Sequence, residues 1–145
     1  MHEIQDPGNA GTILRSADAL GATAVITSPG SVDMYSPKVV RSTAGSLWHL
    51  PVFERISLDL LTTTIPDLNF ASLSADGKKS IRDFLITQNT VLIFGNEARG
   101  LTDLEVPQAT QKLAIPMAGN AESLNLSAAV SIVLFELTAK IADDK

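Results

Sequence analysis

Polar residues able to handle a proton or an anion fall into three short segments of this chain. The first is Asp6-Pro7-Gly8-Asn9-Ala10-Gly11-Thr12-Ile13-Leu14-Arg15, where a turn runs straight into a predicted helix. Free backbone N–H groups and the helix dipole at such a start favour an anion. Arg15 sits about 200° around that helix from Ile13 and so points away from the apolar stripe of Ile13, Ala17 and Leu20. The second segment is Gly95-Asn96-Glu97-Ala98-Arg99-Gly100-Leu101, directly after the apolar run Val91–Phe94. It lies where open α/β sheets bind ligands, at the carboxyl end of a strand. The third is Ile115-Pro116-Met117 followed, across a polar glycine-containing loop, by Ser123-Leu124-Asn125 at the start of a long helix. Each segment also has a plain reading when taken singly: a surface pair of Arg15 with Asp18, a tight turn with a Glu97–Arg99 pair, and an ordinary helix cap.

Composition narrows the chemistry. The chain contains no cysteine, which excludes a disulfide framework, a thiolate metal site and thiol nucleophiles. Two histidines, His2 and His49, stand far apart, so no metal site is expected. Neither the Gly-x-Gly-x-x-Gly fingerprint of dinucleotide enzymes nor a phosphate-loop lysine is present. The formal net charge of −5 has the wrong sign for binding nucleic acid by bulk electrostatics, so any such contact must be local.

The elements that must position these residues alternate. Ala24–Thr27, Pro51–Phe53, Phe70–Leu73, Val91–Phe94 and Lys112–Ile115 read as short buried strands. Helices are expected over Ala10–Leu20 with Asn9 as cap, from Ser36-Pro37 to Gly45, after Ser57, and from a capping box at Thr102–Glu105. The last helix opens at Ser123 or Asn125, and its apolar residues Leu126, Ala129, Val130, Val133, Leu134, Leu137 and Ile141 form one stripe. Strands alternating with helices imply a single α/β domain over 1–145, a mainly parallel sheet with helices on both faces. Only Met1-His2-Glu3-Ile4 precedes the first turn, so the first strand reads as clipped, as though the chain starts partway into a longer protein. With no apolar run long enough to span a bilayer and no signal-peptide pattern, a cytoplasmic location is expected.

Together and in order, the three segments resemble the signature motifs of the SpoU-type RNA ribose 2′-O-methyltransferases of the SPOUT superfamily. Asn9, Gly11 and Arg15 match its Asn-x-Gly-x-x-x-Arg pattern. Gly95, Glu97, Gly100 and Leu101 match Gly-x-Glu-x-x-Gly-Leu. Ile115-Pro116-Met117 and Ser123-Leu124-Asn125 match the third. The resemblance implies a C-terminal trefoil knot, S-adenosylmethionine (AdoMet) as cofactor, ribosomal or transfer RNA as partner, and a homodimer. It implies catalytic roles for Arg15, Asn9, Glu97, Ser123 and Asn125, and an AdoMet pocket from Gly95, Ile115, Leu124, Met117, Ser74 and Ala75. RNA contacts would come from Arg15, Lys38, Arg41 and Arg99, whereas Lys78, Lys79 and Arg82 read as ordinary surface. The N-terminal RNA-binding domain of many family members has no counterpart in these residues. A guanidinium stays protonated, so Arg15 would orient the ribose and stabilise a developing alkoxide, leaving phosphate, Glu97 or water to take the proton. Two other readings stand beside this one: a non-catalytic RNA-associated paralogue, and an unrelated nucleotide-binding dehydrogenase or phosphotransferase.

Overall fold

The computed structural model describes residues 1–87, 89–101, 109 and 111–143, with side chains as far as Lys140. In chain order the elements are α1 (Pro7–Ala19), β1 (Val25–Ile26), α2 (Pro37–Ser42), β2 (Val52–Phe53), α3 (Leu58–Thr64), β3 (Asn69–Leu73), β4 (Lys79–Ser80), β5 (Thr90–Ile93), β6 (Gln111–Ala114) and α4 (Leu126–Asp143). Single 3-10 turns follow α2, at Ser46–Trp48, and β4, at Ile81–Asp83. Every expected strand is present, and β4 is an addition. The helix expected at Thr102–Glu105 lies outside the described residues.

All strand pairs are parallel, in two sheets ordered β1-β2 and β4-β6-β3-β5. The N-terminal residues join them. The Met1 amino group donates to the Ile26 carbonyl at 2.7 Å, Ser28 N–H donates to the Met1 carbonyl at 3.0 Å, and His2 N–H donates to the Phe94 carbonyl at 2.8 Å. Met1 and His2 therefore occupy a strand position between β1 and β5. Burial lowers the Met1 amine from 8.0 to about 5, because a charged ammonium is disfavoured away from water.

Alternation along the strands assigns the two faces of the larger sheet. Ala71 and Leu113 face Val130, Val133 and Leu137 of α4 and Ile13 of α1. Phe70 and Ile93 face the other way, where Leu58 and Leu61 of α3 pack. The far side of α1 buries Ala10, Leu14 and Ala17 with Val39 of α2 and with Leu47 and Leu50. Helices thus cover both faces, as the alternating pattern requires.

One helix start and one helix end differ from expectation. The cap of α1 is Asp6, not Asn9, and the helix begins at Pro7: the Asp6 carboxylate accepts from Asn9 N–H at 2.7 Å. Proline at the first helical position, with a pre-set φ and no N–H to satisfy, moves the start three residues upstream. The second helix stops at Ser42 rather than Gly45, since Ala44 and Gly45 both adopt positive φ. For α4 the cap is Asn125, whose Oδ1 accepts from Ser127 N–H at 2.9 Å and Ala128 N–H at 3.3 Å.

One connection is tight. Leu73 and Lys79 both pair with Leu113, so residues 74–78 cross over β6 at that level. Ser74 N–H donates to the Leu113 carbonyl at 2.9 Å, and a Cβ on Gly77 would lie 2.5 Å from that oxygen. Only glycine allows so close a crossing. A trefoil depends also on the path of residues 102–110, of which 109 alone is described.

Candidate active site

The three polar segments meet at the first turn of α1. Because Asp6 caps that helix, the Asn9 side chain is left for other partners. Its Nδ2 donates to Glu97 Oε1 at 3.4 Å, and its Oδ1 accepts from Asn125 Nδ2 at 3.2 Å. The Glu97 carboxylate also accepts from Asp6 N–H at 3.2 Å and Gln5 N–H at 3.3 Å. One chain of hydrogen bonds thus runs from the second segment through the first to the third. The Glu97 charge sits against the amino end of α1, where backbone N–H groups and the helix dipole favour an anion.

The plain pairings are not the ones the structure makes. Asp18 holds His49 at 3.0 Å instead of Arg15, and this bond together with one from Ser46 keeps its carboxyl below the usual range. Arg99 pairs with Glu3 rather than Glu97. Arg15 is exposed on α1, on the side away from Ile13 and Ala17.

Asn96 organises the second loop, and the motif reading passed over it. Its Oδ1 accepts from Ala98 N–H at 2.9 Å and Arg99 N–H at 3.2 Å, and its Nδ2 donates to the Glu3 carbonyl at 2.8 Å. Its backbone exchanges two bonds with Gly100, which adopts φ 68°. The available signal was asparagine's habit of bonding the backbone two residues on. Gly95 has a structural reason beside the one expected. A Cβ there would lie 2.3 Å from the Gly100 carbonyl oxygen, so glycine is required by the loop's own closure before any ligand arrives. Gly11 is likewise a packing residue: a Cβ would meet Ser42 Oγ of α2 at 1.7 Å.

The residues expected to hold a cofactor lie at the carboxyl ends of three neighbouring strands: Ser74 and Ala75 after β3, Gly95 after β5, and Ile115 after β6. Ser74 Oγ bonds the Asp76 carboxylate, which also pairs with Lys112 at 3.0 Å; both bonds keep the Asp76 carboxyl below its usual range. Residues 116–125 are exposed throughout, including Met117, Ser123 and Leu124, the last at 37%. Apolar side chains left half in water beside strand-end backbone groups suit an adenine-containing ligand. Among the cations, Lys38 and Arg41 are exposed on one face of α2. Lys79 is a correction: it belongs to β4, donates to Gln111 Oε1 at 2.9 Å and lies 5.6 Å from the Phe84 ring centroid.

Residues 1–135 match the model of the SpoU rRNA Methylase family. The chain belongs to this family. It is 37% identical over 137 residues to the 23S rRNA (uridine(2479)-2′-O)-methyltransferase of Streptomyces viridochromogenes, covering 90% of this chain and 48% of that protein. It is 32% identical over 139 residues to the 23S rRNA (guanosine(2553)-2′-O)-methyltransferase RlmP of Bacillus subtilis, covering 92% and 54%. The crystal structure of the SpoU methyltransferase AviRb from Streptomyces viridochromogenes, in complex with AdoMet, superposes with a TM-score of 0.91. That alignment has 34% identity and covers 98% of this chain and 59% of that one. This SpoU chain therefore spans about half the length of the relatives it matches.

Proposed function

We infer that the chain is the catalytic domain of an AdoMet-dependent RNA methyltransferase that modifies a ribose 2′-hydroxyl of ribosomal or transfer RNA. The observation that carries this reading is the hydrogen-bonded chain Glu97–Asn9–Asn125, which unites three segments far apart in sequence at the start of α1, the helix that also carries the exposed Arg15. The donor set fits AdoMet: Gly95, Ile115, Ser74, Ala75, Leu124 and Met117 supply strand-end backbone groups and half-exposed apolar side chains. When bound, AdoMet supplies an electrophilic methyl group; the 2′-oxygen forms the new bond to it, and the carbon–sulfur electron pair leaves with sulfur. The protein must orient that oxygen and manage its proton. Arg15 holds the ribose and adjacent phosphate and stabilises the developing alkoxide. Glu97, already accepting three N–H bonds, positions Asn9 and the α1 turn, which leaves phosphate or water as proton acceptor. Ser123 and Asn125 set the rim from which the third segment meets the substrate, and Lys38, Arg41 and Arg99 contact RNA phosphates.

The active unit is a homodimer. On α4 the face opposite the core presents Ala128, Ile132, Phe135 and Ala139, with Phe135 66% exposed, and a contiguous apolar face of this kind marks an interaction site. A cytoplasmic location belongs to this reading; no helix among the described residues is long and apolar enough to cross a membrane.

Calorimetry with AdoMet, NAD and ATP tests the cofactor class: binding of AdoMet alone is expected, and binding of NAD or ATP in its place contradicts it. AdoMet binding without methyl transfer to unmodified RNA would identify a non-catalytic relative.

A further inference from the structure

Trp48, the chain's single tryptophan, is 76% exposed although the residues around it are anchored. Leu47 and Leu50 are buried in the core beneath α1 and α2, so the chain holds Trp48 and His49 outward between two fixed points. The turn that does this is unusual: Ala44 at φ 50° and Gly45 at φ 98° are consecutive left-handed residues, a conformation that alanine rarely adopts. His49 is tied to Asp18, one helical turn along α1 from Arg15. Lys38 and Arg41 stand exposed on α2, the helix that leads into this turn. In a chain of net charge −5, an exposed indole thus stands in the turn after a helix that carries two exposed cations.

An exposed aromatic face combined with exposed cations on the preceding helix suits single-stranded nucleic acid, because every base has a π-face and every nucleotide a phosphate. A second copy of the chain fits less well: a two-fold contact through this turn would bring Lys38 and Arg41 toward their own copies. Resting on the RNA reading above, we propose that Trp48 is a stacking platform for an unpaired base flanking the methylated nucleotide, with Lys38 and Arg41 on the neighbouring phosphates. The exposed turn thereby sets a preference for single-stranded over helical RNA near the target.

The experiment uses the intrinsic fluorescence of Trp48 and, separately, the anisotropy of a labelled, unstructured RNA oligonucleotide. Quenching of Trp48 in step with the anisotropy rise is expected. Trp48→Ala should weaken RNA binding roughly tenfold with the melting temperature unchanged, and Trp48→Phe should restore most of it. RNA binding without a fluorescence change, or with full affinity in Trp48→Ala, overturns the stacking role alone. An emission shift on protein dilution without RNA assigns Trp48 to an interface between copies and also overturns it. Absence of any anisotropy change overturns the RNA reading together with the proposal.

Discussion

In the proposed reaction Glu97 and Arg15 take separate tasks, a division their residue types alone leave open. A carboxylate one loop away from a predicted helix start reads equally as a base or as a surface anion. With three N–H donors around it, Glu97 is proposed as a positioning group rather than a base. Glu97→Gln keeps the size but presents an amide NH₂ toward existing donors, so it should loosen the Asn9 contact and lower kcat while leaving AdoMet affinity near wild type. Single-turnover rates against calorimetric Kd check this, and an unchanged rate would deny Glu97 its positioning role. Arg15→Ala removes an exposed side chain, so the melting temperature should stay within about a degree or two, as for surface substitutions generally. At this scale the sequence was legible where a motif residue stood off the buried stripe, as Arg15 does. It was opaque at Asp6 and Asn96, whose roles depend on neighbours that only folding brings close.

The elements were legible because their patterns are simple. The β-rich runs, the Pro37 and Ser57 helix starts and the stripe of α4 all correspond to observed elements. What periodicity could not supply is the order β4-β6-β3-β5, because two-residue β4 has too little pattern to announce itself and strand order is a property of distant partners. The glycines belong to this scale too. Gly11→Ala should destabilise the chain by about 1–3 kcal/mol, since α1 and α2 must separate to admit a methyl group; chemical denaturation measures it, and an unchanged midpoint would mean that the helices shift freely. Substitutions at Gly95 break the loop's closure on Gly100, so loss of AdoMet binding in Gly95→Val would not by itself report a ligand contact. The Met1–His2 segment carries a pH dependence. Its amine is neutral in the fold and charged when unfolded, so the unfolded chain binds the extra proton between about pH 5 and 8. Stability contributed by this group therefore rises with pH across that window. Acetylating the Met1 amine should flatten the rise in a melting-temperature series, and an identical slope before and after acetylation would contradict the buried, neutral amine.

The molecule as a whole poses the question of what covers its apolar faces and where RNA lies. The exposed α4 face, with Ile132 and Phe135, is expected to be buried between two copies, so light scattering should return a dimeric mass at micromolar concentration, and Phe135→Glu should return a monomer that still folds. A wild-type monomer that binds AdoMet would remove the dimer from the account. On the proposed function, a net charge of −5 leaves RNA contact to local cations, and Arg15, Lys38 and Arg41 are the exposed residues proposed for it. The central claim is that the united segments transfer a methyl group to a ribose oxygen. A 2′-O-methyl group blocks alkaline cleavage of the adjoining phosphodiester, so the direct measurement is alkaline hydrolysis of RNA after incubation with labelled AdoMet and either the wild-type or the Arg15→Ala chain. Label in an alkali-resistant dinucleotide with the wild-type chain, and none with Arg15→Ala, is the predicted result; label released entirely as mononucleotides, or equal resistant label with both chains, would contradict it.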